Sequence, residues 1–124
     1  MFYSFRQNNS GGRFVFDEKD GISVLVVVEA DDYEDACRRA ESIGIYFNGC
    51  DAGLDCPCCG DRWYRCDEDS GTTVPCEYGN GDYLIFKDNF EECDGYFGNI
   101  PPAFVHYKDG RIVPAALPKR TWME

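Results

Sequence analysis

The chain has one histidine, His106, and few basic residues, with 12 Lys and Arg against 23 Asp and Glu for a formal charge of −11. That field repels phosphate backbones, so direct nucleic-acid binding is not expected. No run of 18 apolar residues occurs, which excludes a membrane-spanning helix from the expectations. The opening stretch MFYSFRQNNSGGRF has neither the apolar core nor the small-residue cleavage site of a signal peptide. A cytoplasmic location is therefore expected, where the eight cysteines are thiols or metal ligands rather than disulfides. Phosphate-cradling glycine loops are missing too: GNGDY and NSGGRF lack the strand-to-helix setting and the lysine. DEDSG is too short for a calcium loop and reads as a solvated turn.

What is present points to a folded globule. Hydrophobic residues make up 44%, with nine Phe, eight Tyr and two Trp, and 124 residues fit one domain spanning 1–124. Acidity is concentrated, because residues 17–94 hold 21 of the 23 carboxylates and only six of the basic side chains, a net of −15. Such a surface suits a basic protein partner, including one whose basic face normally holds nucleic acid.

The periodicity predicts an α+β fold: a small, mostly antiparallel sheet with one main helix packed on it and a cysteine-rich, zinc-stabilised loop. Within it, residues 14–47 form a hairpin-helix-strand half, 48–66 the cysteine-rich loop, 67–113 the C-terminal strands and hairpin, and 114–124 a tail. The hairpin runs from a strand at 14–16 through DEKDG to a strand at 22–28. Continuous apolar residues from Val24 to Val28 mark a strand covered on both faces. A helix over about 31–43 follows, capped by Asp31 with Glu34 in the capping-box position. Tyr33, Ala36, Cys37, Ala40 and Ile43 line one stripe, and Gly44 stops the helix. Short strands are expected at IYF, RWYRC, TTVPCEY and DYLIFKD, and AFVHYKDGRIVPA reads as a second hairpin.

The chemistry concentrates in DAGLDCPCCGDRWYRC, residues 51–66. C-P-x-C-G is half of a zinc knuckle, with Pro stiffening the turn and Gly turning amides towards sulfur. Cys56 and Cys59 fit it, and Cys66 and Cys76 are the expected third and fourth zinc ligands. Cys50, Cys58, Cys93 and His106 are the reserves. Cys58 points away from its neighbour Cys59 on this reading, and Cys37 belongs to the helix stripe. Competing readings are a cysteine enzyme, redox or hydrolytic, using the 56–59 thiols with His106 as base, or a nucleotide pocket lined by Arg62, Arg65 and Arg111. Asp61, Arg62 and Trp63 in GDRW are expected to touch a partner, being residue types that dominate interfaces.

The stretch from FVFDEKDG through DCPCCGDRW, followed by FVHYKDGR, resembles a family of small uncharacterised proteins encoded by tailed bacteriophages, with DCPCCGDRW its most specific part. The resemblance spans Phe14 to about Arg111 and supplies no activity to transfer. It implies a phage-encoded protein in the host cytoplasm, with importance attached to Cys56, Cys58, Cys59, Gly60, Asp61, Arg62 and Trp63. By analogy with small acidic phage proteins, the expected function is non-enzymatic: binding a basic host protein, such as a defence effector, nuclease or transcription factor, to inhibit or redirect it.

Overall fold

The computed structural model of the protein describes residues 1–8, 10–77, 82–86 and 101–116. Along the chain come β1 (Phe2–Arg6), β2 (Leu25–Glu29), α1 (Tyr33–Ile43), β3 (Cys76–Glu77), β4 (Asp82–Tyr83), β5 (Ile85–Phe86), β6 (Ala103–His106) and β7 (Ile112–Ala116). Five strands form one sheet in the order β1-β2-β6-β7-β5, and β3 and β4 pair separately. Only β2 with β6 is parallel among these pairings, with Val26 opposite Phe104 and Val28 opposite His106. A parallel pair needs a crossover, and here α1 and the cysteine-rich loop supply it. The fold is the expected α+β arrangement, a mostly antiparallel sheet with one main helix.

β2 explains the centre of the molecule. Its residues alternate between faces, and both faces are covered. Val26 and Val28 join Tyr3, Phe5, Ala36, Cys37, Ala40, Ile45 and Trp63 under the helix. Leu25 and Val27 join Leu84, Ala103, Val105 and Ala115 on the other side. The four apolar side chains of β2, Leu25 to Val28, are 0–1% exposed, and each contributes about 1.5–3 kcal/mol of apolar burial.

The helix follows its sequence closely. Ala36, Cys37 and Ala40 are buried, and the Gly44 amide returns to the carbonyls of Ala40 and Glu41. Its cap is Asp32 rather than Asp31: Oδ1 of Asp32 accepts the Asp35 amide at 2.8 Å. Asp35 is buried, accepting from the Asp31 amide at 3.1 Å and Arg39 Nε at 2.9 Å, with Arg38 as a further partner. The Arg39 bond, then the Asp31 amide, holds its carboxyl below the usual 3.8.

The N-terminal half departs from the expected hairpin. DEKDG does turn, with Asp17 and Ile22 exchanging backbone bonds at 2.9 and 3.0 Å. Residues 14–16 nevertheless form no strand, because a side chain takes the partner's place. The Gln7 amide donates to the Val15 carbonyl at 2.9 Å and accepts the Val15 amide at 2.6 Å, while also reaching the Ser23 carbonyl at 3.0 Å. The antiparallel partner of β2 is instead β1, in a segment not expected to form a strand. Its alternation of buried Tyr3 and Phe5 with Phe2 and Ser4 is a period-two pattern.

Residues 45–47 and 63–66 are irregular rather than extended, and the described residues of TTVPCEY contribute the two of β3 and a single bridge from Thr72 to Phe2. DYLIFKD splits into β4 and β5 around Leu84. The C-terminal hairpin forms as expected, with Val105 opposite Val113. The expected tail begins too early, because residues 114–116 belong to β7; the rest of it, with Trp122, and Cys93 lie outside the described residues. Among the described residues no helix is long and apolar enough to cross a membrane.

Candidate functional site

Residues 48–66 wrap over the N-terminal segment without regular secondary structure, so their backbone groups must be satisfied one by one. Asn8 does much of this. Its Nδ2 donates to the carbonyls of Cys59 at 2.8 Å and Asp61 at 3.1 Å, and its amide donates to Arg62 O at 2.8 Å. Ser10 Oγ accepts the Cys56 amide at 3.0 Å.

Arg62 is the hub of this arrangement. It is 7% exposed and donates to Gln7 Oε1 at 3.0 Å, Arg13 O at 2.8 Å and Ser10 O at 2.7 Å. The Asp55 carboxylate closes the network, accepting Tyr46 Oη and the Arg62 amide, both at 2.8 Å. Its Oδ1 stands 3.7 Å from Arg62 Nε, which is buried with no hydrogen-bond partner. A buried charge needs such partners, and the guanidinium fork can serve three carbonyl oxygens at once.

GDRW is therefore internal. Trp63 is 2% exposed and packs in the core under the helix, Arg62 holds loop to N-terminus, and half-buried Asp61 accepts the Cys50 amide at 2.9 Å. Burial corrects the expectation that Arg62 and Trp63 meet a partner. Both readings rest on the same residue types, since an amphipathic Arg-Trp pair serves a buried hub as well as an interface. Arg62, Arg65 and Arg111 do not gather into one nucleotide pocket either. Arg65 lies 4.9 Å over the Phe47 ring beside a cavity of about 230 Å³, and Arg111 lies 4.3 Å over Tyr107 beside another of about 160 Å³.

The knuckle itself is formed. Amides of Cys59 and Gly60 bond to the Cys56 carbonyl at 3.1 and 3.2 Å, closing a tight turn. Gly60 adopts φ 88, the left-handed region that a glycine reaches without strain. The Cys58 amide, then the thiol and amide of Cys59, face the Cys56 sulfur and hold its pKa below 9.0. Cys58 and Cys59 are exposed, and Cys56 is half-buried.

The other thiols stand apart from the pair. Cys66 Sγ lies 3.5 Å from Cys37 Sγ on the helix stripe, and burial with that contact pushes its thiol up to about 12. Cys76 is buried on β3. The Cys50 sulfur leans on the Cys56 carbonyl at 3.5 Å, while Asp61 and partial burial push the thiol up to about 11. Among the described residues no three Cys, His, Asp or Glu side chains are grouped to hold a metal ion. The structure thus brings Cys56 and Cys59 together and leaves Cys66 and Cys76 outside. Cys66 is claimed by Cys37, a contact between helix and loop that no local spacing could reveal.

His106 is buried on β6, its Nε2 2.8 Å from the Gly21 carbonyl. Burial holds its pKa below 6.5 against the opposing effect of that bond. Its structural task is to seat the 17–22 turn on the hairpin.

Fold and loop together define an α+β protein with one two-thiol knuckle. The family model described as "Domain of unknown function (DUF7296)" matches residues 1–121, and the chain belongs to that family. No curated protein and no solved structure matches it.

Proposed function

We propose that the chain is a non-enzymatic, acidic, zinc-binding phage protein that binds a basic surface on a host protein, in the host cytoplasm, and inhibits or redirects it. The observation that carries this reading is a convergence of carboxylates from separate elements. Glu34 at the start of α1 accepts the Tyr33 hydroxyl at 3.2 Å, and Asp32 and Glu68, the latter in the separate 67–70 turn, act on the same phenol through space. Its bond to Glu34 first, then the field of these charges with some burial, raises the phenol above 10.0. Asp31, Asp32, Glu34, Asp67, Glu68 and Asp69 are all exposed. A half-buried tyrosine ringed by acids offers an aromatic anchor and a steering field to a cationic partner.

The test is capture from host lysate by the tagged full chain. Wild type should retain a basic protein in stoichiometric amount at low salt and lose it as salt rises. The combined Asp32→Asn, Glu34→Gln, Glu68→Gln variant should fold normally and lose the same protein. Equal capture by wild type and variant would overturn the reading.

Zinc belongs to this proposal through Cys56 and Cys59, whose turn and inward-facing amides suit two thiolates on a metal. A reactive-thiol enzyme is the competing reading, favoured by the lowered Cys56 thiol. It requires Cys56 to alkylate far faster than the other thiols in zinc-loaded protein, whereas a metal-bound thiolate is protected until a chelator is added.

A further inference from the structure

A structural zinc ion takes four ligands, and the described residues bring two together in the knuckle. The obvious candidates for the remainder are engaged elsewhere. Asp61 has Cys50, both by its amide at 2.9 Å and through the thiol. Asp55 uses both oxygens on Tyr46 and Arg62. Cys66 has Cys37, and His106 has Gly21. No third metal-capable side chain joins the pair among the described residues.

The pair is also placed where another molecule can reach it. Cys59 is exposed at the loop surface and Cys56 is half-buried beside it. Among the described residues the two most exposed large apolar side chains flank the knuckle in sequence, Leu54 at 63% and Tyr64 at 57%. Tyr64 stands over the turn, its hydroxyl 2.9 Å from where a Cβ on Gly60 would lie.

We propose that the knuckle is half of a shared site: one zinc ion held by Cys56 and Cys59 from each of two copies of the chain, joining them into a dimer. Two identical knuckles about a twofold axis supply four sulfurs in a tetrahedron, which the described residues of one copy do not. Leu54 and Tyr64 form the apolar rim of the contact. On binding, the thiols give up their protons to solvent and four S–Zn bonds form without any change of oxidation state. Each copy carries −11, so the copies repel at long range and the metal must overcome that repulsion. The dimer should therefore tighten as salt is added, opposite to the complex with a basic partner.

This inference rests on the zinc reading, and the experiment separates them. Metal-free full-length protein in reductant is titrated with zinc chloride while mass is followed by light scattering and bound metal by elemental analysis. A dimer saturating at half a zinc per chain, reversed by chelator, is the expected result. Cys56→Ser and Cys59→Ser should each abolish both metal uptake and dimer, whereas Cys50→Ser and Cys93→Ser should change neither. Cobalt(II) in place of zinc should give the intense visible bands of a tetrahedral thiolate site in wild type, Cys50→Ser and Cys93→Ser, and in neither Cys56→Ser nor Cys59→Ser. One zinc per chain in a monomer, or loss of uptake in Cys93→Ser, would overturn the sharing while leaving zinc in place. No uptake of zinc or cobalt at all would overturn both.

Discussion

The sheet-and-helix half and the cysteine-rich loop are held by opposite means. Around β2 nearly every contact is apolar, and the strand is sealed on both faces by aliphatic and aromatic side chains. Residues 48–66 have almost no regular hydrogen bonding, and one guanidinium with Asp55, Gln7, Asn8 and Ser10 fixes their path. Apolar packing is non-directional and spreads its energy over many residues. A polar hub is directional and concentrates it in few, which lets a loop hold a fixed shape and still present thiols at its surface.

That contrast can be broken most forcefully at Arg62. Arg62→Ala leaves Asp55 buried without its cation and should cost about 3–5 kcal/mol. Hydrogen exchange should show the loss centred on residues 48–63 and the N-terminal segment, with β2 and β6 still protected. Uniform loss across the sheet would show that loop and core are one cooperative unit. Leu25→Ala, on the sealed strand, should cost about 2–5 kcal/mol in urea denaturation. Here protection should fall throughout the sheet, including β6 and β7.

A smaller effect tests the helix that the two regions share. Asp32→Ala removes the acceptor for the Asp35 amide and should cost about 1 kcal/mol, with Asp32→Asn restoring most of it. A variant Asp31→Ala that cost more would return the cap to Asp31.

The smallest effect is a dependence on pH. His106 is harder to protonate folded than unfolded, so its contribution is complete above 6.5 and is lost as pH falls below that value. Asp35 adds stability above 3.8 that is lost as pH falls from there through its lower folded value. Denaturation midpoints between pH 7.5 and 5 should decline in wild type and stay flat in His106→Gln. A decline of equal size in both would assign the effect to other groups.

Much of the sheet-and-helix half is legible in the sequence because its signals are local. Ala36, Cys37 and Ala40 share a face through helical spacing alone, and Val24 to Val28 announce a doubly covered strand by composition. The 103–116 hairpin carries its own turn. β1 was equally legible from FYSFR, but its period is short and it opens the chain, where a leader or tail competes as a reading. The 14–16 strand fails for a different reason: Gln7, eight residues before Val15, occupies both of its ladder bonds.

At the candidate site the division is sharper. C-P-x-C-G encodes its own turn, so Cys56 and Cys59 come together wherever the loop is placed. Their distant companions are set by packing. Cys66 meets Cys37 because the loop crosses α1, and Arg62 turns inward because Gln7, Ser10 and Arg13 converge there to receive it.

By itself the sequence determined the helix and its buried stripe, the apolar strand, the C-terminal hairpin, the acidic middle and the two-thiol knuckle. Each depends on residues within a few positions of one another, where backbone geometry alone sets who is neighbour to whom. Only the tertiary structure decided that β1 pairs with β2, that β2 runs parallel to β6, that GDRW faces inward, and that the knuckle stands without Cys66 and Cys76. Those outcomes join residues tens of positions apart, and what joins them is the competition among apolar surfaces and buried polar groups for partners that the folded chain supplies.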